Sequence, residues 1–293
     1  MRRSSFTTRL LVAAASVGLL VIVAGPATAG AALRAPGAYI CTGKLKPGAY
    51  PSILVRGFCL GPARGTVLVG GSVIVGPGAS LIANYPAAPK QHVPEGDATW
   101  KIAGAVVLKR NATLTLGCEP HFGCKNTTSD FVGGGLTATG ALGVIVHATA
   151  VNGAVKVSGG GGGLSCKPSG VFKMFAEPVY SDFEDDTIRG NLAVSSLTSC
   201  WLGLARDAVD GSVTIGNDKL ADPDAIEILS NAIVGNLACS GNSQVWDSTE
   251  AQFGQKTLYP RIAEPNAVVG MRSGQCVLAS PATQGGQPGP GAF

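Results

Sequence analysis

Between residues 182 and 189 the chain carries Asp182, Glu184, Asp185, Asp186 and Arg189. Carboxylates this dense suit Ca2+, which takes six to eight oxygen ligands. An arginine beside them is placed to act on an acidic sugar. The same run also reads as the solvated edge of a loop. Arg206, Asp207 and Asp210 form a second group. If Asp207 stacks on Asp186, two carboxylates about 5 Å apart repel by roughly 3 kcal/mol at an effective dielectric of 20. A cation, an arginine or exposure to water must offset that, and Asp186 with Asp207 is therefore a candidate Ca2+ site. Asn217 to Asp224 is a third oxygen-rich stretch, but it lacks the Gly-centred loop of an EF-hand and reads first as a turn. His147 sits in an apolar run with no evident Ser or Cys partner, so a strand-face histidine is the simpler reading. Trp201 either offers a stacking face for a sugar or plugs the end of an insertion. The run Gly159 to Gly163 lacks the Lys-Ser/Thr and the strand-to-helix setting of a phosphate loop.

The elements that must position these groups show themselves as a repeat. The phrase Thr187-Ile188-Arg189-Gly190-Asn191-Leu192-Ala193-Val194 returns at Ala208 to Ile215 and at Ala232 to Cys239. Looser copies centre on Gly71, Gly104, Gly134, Gly153 and Gly270. A recurrence near twenty residues means stacked units. Three short strands and three turns fill such a coil. The longer steps then hold insertions at 84–99, 117–130, 159–185 and 243–265. Alternation places Ile188, Leu192 and Val194 inward, with Val209, Val213 and Ile215 in the next coil. Cys239 falls in the row of Val194 and Ile215. Four residues before the anchor glycines stand Asp130, Thr149, Asp186, Asp207, Asn231 and Asn266, residue types that favour turns and bond nearby backbone. The two earliest copies have Val67 and Trp100 there instead.

Composition agrees with this. Charged residues are 14% and Gly is 42 of 293, against about 25% charged and 7% Gly in ordinary domains. Residues 1–29 read as a secretory signal: Arg2, Arg3 and Arg9, an apolar run from Leu10 to Ala24, then Ala27-Thr28-Ala29. Both Sec and twin-arginine export remain open. Without those three arginines the 22 basic residues fall to 19 against 18 acidic ones, which leaves no basic field for nucleic acid. No second apolar run is long enough to span a bilayer. Eight cysteines in an exported chain favour disulfides. They permit roughly a hundred connectivities; the simplest follows chain order, Cys41–Cys59, Cys118–Cys124, Cys166–Cys200 and Cys239–Cys276. No C-x-x-C pair supports a cysteine zinc site.

With these residues in view, the chain resembles the secreted right-handed parallel β-helix proteins of pectate-lyase-like architecture. It is most similar to uncharacterised exported bacterial members that carry the phrase Asn231-x-Ile233-x-Gly235-Asn236-Leu237-x-Cys239-x-Gly241-Asn242, followed by Asn266-x-Val268-x-Gly270-x-x-x-Gly274-Gln275-Cys276. The resemblance implies the fold and brings no catalytic residues with it. A pectate-lyase-like activity would use Ca2+ to bridge protein and uronate, with an arginine assisting proton removal.

The expectation is a single all-β, right-handed parallel β-helix over 65–276. An N-terminal cap at 30–64 and a Gly/Pro-rich tail at 277–293 flank it, and disulfides close both ends. The protein is expected outside the cell, as a monomer. Its leading role is non-catalytic: structural, or binding a polysaccharide or cell-surface component. The alternative is a polysaccharide lyase or glycoside hydrolase using Asp182, Glu184, Arg189 and Arg206. No cofactor is expected beyond the candidate Ca2+.

Overall fold

The computed structural model describes residues 37–87, 95–120, 122–223, 225–248 and 265–277. The segment 1–29, expected to be a secretory signal, and nearly all of the tail lie outside the described residues. The chain winds through three sheets of ten, eight and nine strands, here called sheets A, B and C. Each coil runs C, then A, then B, and every strand pairs in parallel with its equivalent one coil away. The result is a parallel β-helix. One continuous core cluster runs from Cys41 to Cys276. Among the described residues no helix is long and apolar enough to cross a membrane.

The interior row expected from the sequence is present. Val157, Val194, Ile215 and Cys239 occupy one register position on sheet A, and all are buried. On sheet C, Val151, Ile188, Val209 and Ile233 do the same. All four chain-order disulfides form, with Cα–Cα distances of 5.6, 5.9, 4.7 and 5.2 Å.

Three boundaries differ from the sequence reading. The segment expected as a cap is already coiled: Tyr39–Cys41, Gly48–Tyr50, Ile53–Val55 and Phe58–Leu60 are strands of the three sheets. The helix therefore starts near residue 39 and not at 65, since Pro51-Ser52 turns the corner that Gly holds in later copies. The insertion expected at 159–185 ends in a strand, Tyr180–Glu184, in the middle of sheet B. The stretch 243–265 likewise begins with the sheet B strand Val245–Ser248.

The anchor glycines are needed for closeness, not for unusual dihedrals. A Cβ on Gly211 would lie 2.5 Å from the Gly190 carbonyl oxygen, and one on Gly235 the same distance from that of Gly211. Consecutive coils touch backbone to backbone at this corner.

Side-chain ladders stitch the corners. At the turn from B to C, the side chains of Asp186, Asp207, Asn231 and Asn266 each accept the backbone N–H of the equivalent residue one coil earlier, at 2.8–2.9 Å. Asp130 does the same for Trp100. A second ladder at the turn from A to B uses Asp218, Asn242 and Gln275. Asn217 to Pro223 thus lies at this corner and includes the two-residue strand Lys219–Leu220, while Asp224 lies outside the described residues. A third ladder, between C and A, uses Asn191, Ser212 and Asn236.

Candidate functional site

The acidic residues gather on the outer face of sheet B. Three adjacent strands build it: Gly143–His147, Tyr180–Glu184 and Trp201–Ala205. Alternation turns Val144, Val146, Phe183, Leu202 and Leu204 into the core. His147, Asp182 and Glu184 therefore project outward. The register sets Ile145 beside Asp182 and His147 beside Glu184, with Glu184 beside Ala205 in the following coil. Immediately after these strands come Ala148, Asp185 and Arg206, all with φ between 48° and 58°. That left-handed corner recurs coil after coil. It stacks the Arg206 side chain over Asp185.

Distances show how tightly these groups meet. His147 Nε2 lies 2.9 Å from Asp182 Oδ2 and 3.7 Å from Glu184 Oε2. Arg206 Nη2 lies 2.7 Å from Asp185 Oδ2, 3.1 Å from Glu119 Oε1 and 3.2 Å from Glu184 Oε1. Arg206 Nε donates to both oxygens of Asp185.

Two insertions cover the face. The first leaves sheet B at Gly117, where a Cβ would collide with the His147 carbonyl. Cys118–Cys124 ties it, and Thr128 Oγ1 accepts the Cys118 N–H. This loop supplies Glu119, and its Phe122 ring packs edge-on to the His147 imidazole at 4.6 Å. The second insertion carries the short 3-10 helix Gly170–Met174, whose Phe172 packs with Ile145, Val179, Tyr180 and Trp201. Trp201 stacks on Tyr180 at 3.9 Å and is buried, so its ring plugs this layer and offers no face to a sugar. Under this cover Glu119, His147, Asp182, Glu184 and Arg206 are 0–5% exposed. Only the Asp185 side chain, at 28%, reaches water appreciably.

Burial sets the charge states. Desolvation, a hydrogen bond to Asp185 and the charge of Glu184 push Glu119 up to about 12, so it is a neutral acid. Burial pulls His147 down, but the bond to Asp182 and the charge of Glu184 outweigh it and raise the imidazole's pKa. Asp182 is raised by desolvation and by Glu184, against the His147 bond. Asp186 and Asp207 are fully buried and raised well above the usual carboxylate range, chiefly by desolvation.

Of the residues singled out in the sequence, Asp182, Glu184 and Arg206 come together. Arg189 does not: it is exposed, at the corner between sheets C and A. Asp186 and Asp207 do stack, and the Asp207 carboxylate accepts the Asp186 N–H at 2.9 Å. Among the described residues, neither an arginine nor a ring of ligands bridges them. Each leaves one oxygen, Oδ2, without a partner, against the six to eight that Ca2+ takes. Desolvation raises both carboxyl pKa values, and protonation of either one would relieve the repulsion. In the same ladder Asn231 and Asn266 direct an amide N–H at the carbonyls of Leu204 and Ile228, where a protonated Asp has an O–H to offer.

Nothing in the sequence pattern marks Glu119 or His147 as part of a site. Glu119 lies 87 residues from Arg206 and inside a disulfide loop. The alternation of Asp182 and Glu184 about Phe183 was the available signal for a strand.

The ligand atoms of Glu119, His147 and Glu184 all fall within 4.8 Å of one another. Cys166, Cys200 and Asp222 also cluster, but both sulfurs are spent in the disulfide. No protein-family model, no curated protein and no solved structure matches the chain.

Proposed function

We propose that this protein is exported and works without catalysis, as a β-helical rod that binds a polysaccharide or another cell-surface component. The carrying observation is the cover over sheet B. A general acid or base must come within about 3 Å of the bond it serves. Here Asp182, Glu184, His147 and Arg206 lie beneath the chain's own insertions, paired with one another. Sheets A and C carry the open faces. Their outward columns include Thr137, Lys156 and Thr214 on A and Lys101 and Thr187 on C, all exposed. Nine or ten strands at about 4.8 Å give each face a length of roughly 40 Å, enough for several sugar units. The four disulfides agree with an oxidising compartment. A glycan array probed with the oxidised protein is the test. Saturable binding to a defined polysaccharide class, with no release of fragments, supports the reading; no binding to any glycan or cell-wall preparation counts against it.

One observation favours the second reading, a pectate-lyase-like lyase or a glycoside hydrolase. Asp182, Glu184 and Arg206 converge with a histidine and a neutral Glu119, the acid and base types such chemistry uses. It requires the Cys118–Cys124 loop to swing away. Depolymerisation of acidic polysaccharides, with and without Ca2+, decides between them: fragments that vanish in Glu184→Gln establish the enzyme.

A further inference from the structure

We propose that Glu119, His147 and Glu184, with Asp182 alongside, form a binding site for one transition-metal dication that pins the Cys118–Cys124 loop to sheet B. The donor set points to Zn2+, Mn2+ or Fe2+, because an imidazole with carboxylates suits those ions, whereas Ca2+ and Mg2+ prefer oxygen alone.

Geometry supports this first. Donors around a tetrahedral Zn2+ at about 2.0–2.2 Å sit about 3.4 Å apart. His147 Nε2 and Glu184 Oε2 are 3.7 Å apart, and the Glu119 carboxylate completes a set within 4.8 Å. Arg206 holds Glu119 Oε1 and Glu184 Oε1. It thereby turns Glu184 Oε2 toward the imidazole, the orienting work that outer groups do around metal ligands. Phe122 fixes the ring edge-on.

Charge and an orphaned atom supply a second, separate argument. With Glu119 neutral, three carboxylates remain, Asp182, Glu184 and Asp185, against one guanidinium and one imidazole. Buried anions in such excess are costly unless a cation offsets them. Asp182 Oδ1 has no hydrogen-bond partner, though Asp182 is only 3% exposed. Asp182 Oδ2 occupies the position beside Nε2 where a fourth ligand belongs. Binding would displace two protons to solvent, one from the Glu119 carboxyl and one from His147 Nε2, and would replace the Nε2 bond to Asp182. Asp185, at 28% side-chain exposure, is the member of the cluster that meets water.

This site is independent of what the open sheets bind. The test uses the untagged, oxidised full chain, stripped with chelator and titrated with Zn2+, Mn2+, Co2+ and Ca2+ by calorimetry. The expected result is one equivalent of Zn2+ or Mn2+ bound, and Ca2+ at least tenfold weaker. The Co2+ form should show visible absorption bands of a nitrogen–oxygen site, and the thermal midpoint should rise on loading. Glu119→Gln is buried in the covering loop, but its amide can still donate as the neutral acid does. It should therefore fold, and lower the affinity about a hundredfold; Glu184→Gln should do the same. No uptake of any of the three transition ions overturns the proposal. So does uptake that Glu119→Gln leaves unchanged, or Ca2+ bound as tightly as Zn2+. If Glu184→Gln does not fold, the Co2+ spectrum and Glu119→Gln decide alone.

Discussion

The choice between Asp and Asn in the corner ladders is visible at single atoms. Asn242 both accepts the Asp218 N–H and donates to the Ile215 carbonyl. Asp218 accepts the Leu197 N–H, but its Oδ2 has no partner, and desolvation pushes its pKa up to about 6. A carboxyl whose pKa is raised on folding stabilises most below its unfolded value, near 4, and that stability is lost as pH rises through about 6. Asp218→Asn should restore the missing donor. At pH 7.5 it should raise stability by about 1–3 kcal/mol, and near pH 4 the gain should shrink toward nothing. Denaturant melts at both pH values check this, and an equal effect at each would contradict it. Arg206 makes the opposite case. It serves Glu119, Glu184 and Asp185 at once, so Arg206→Leu should cost about 3–5 kcal/mol by leaving buried acids unpaired. A loss below about 1 kcal/mol in urea unfolding would show that the acids neutralise themselves.

Elements are set by how closely successive coils approach. Gly235→Ala would drive a Cβ against the Gly211 carbonyl, whereas a Cβ on Gly43 meets nothing within 4 Å. The first substitution should cost about 1–3 kcal/mol and the second should stay within about 0.5 kcal/mol; equal thermal shifts would argue against backbone contact as the reason for the anchor. This is also where the sequence was legible and where it was not. Gly190, Gly211 and Gly235 marked the corners because close approach forbids every other residue. Val194, Ile215 and Cys239 shared a row because alternation leaves no other place for them. The strand Tyr180–Glu184 was hidden: the insertion before it broke the period, and both of its faces are covered, so its acids looked like a loop. Tyr39 to Leu60 was hidden for another reason, since Pro51-Ser52 stands where the anchor glycine should be. Glu119 could not be read as part of a site, because its contacts to Arg206 arise from coils far apart in sequence.

Across the whole molecule, one interior column holds the rod and two insertions close one side of it. The column's share is testable: Ile215→Ala should cost about 2–5 kcal/mol, since Ile215 packs between Val194 and Cys239. The closure decides how the acidic cluster is used. His147 is 0% exposed beneath Phe122 and the Cys118–Cys124 loop, and the proposed non-catalytic role requires that this cover stay shut. Diethylpyrocarbonate footprinting of the chelator-stripped, oxidised protein, read by peptide mapping at His147, tests that most directly. The account predicts that His147 stays unmodified until the protein unfolds. Modification of His147 in the folded protein at the rate of a free imidazole would contradict it, and would open the cluster to substrate.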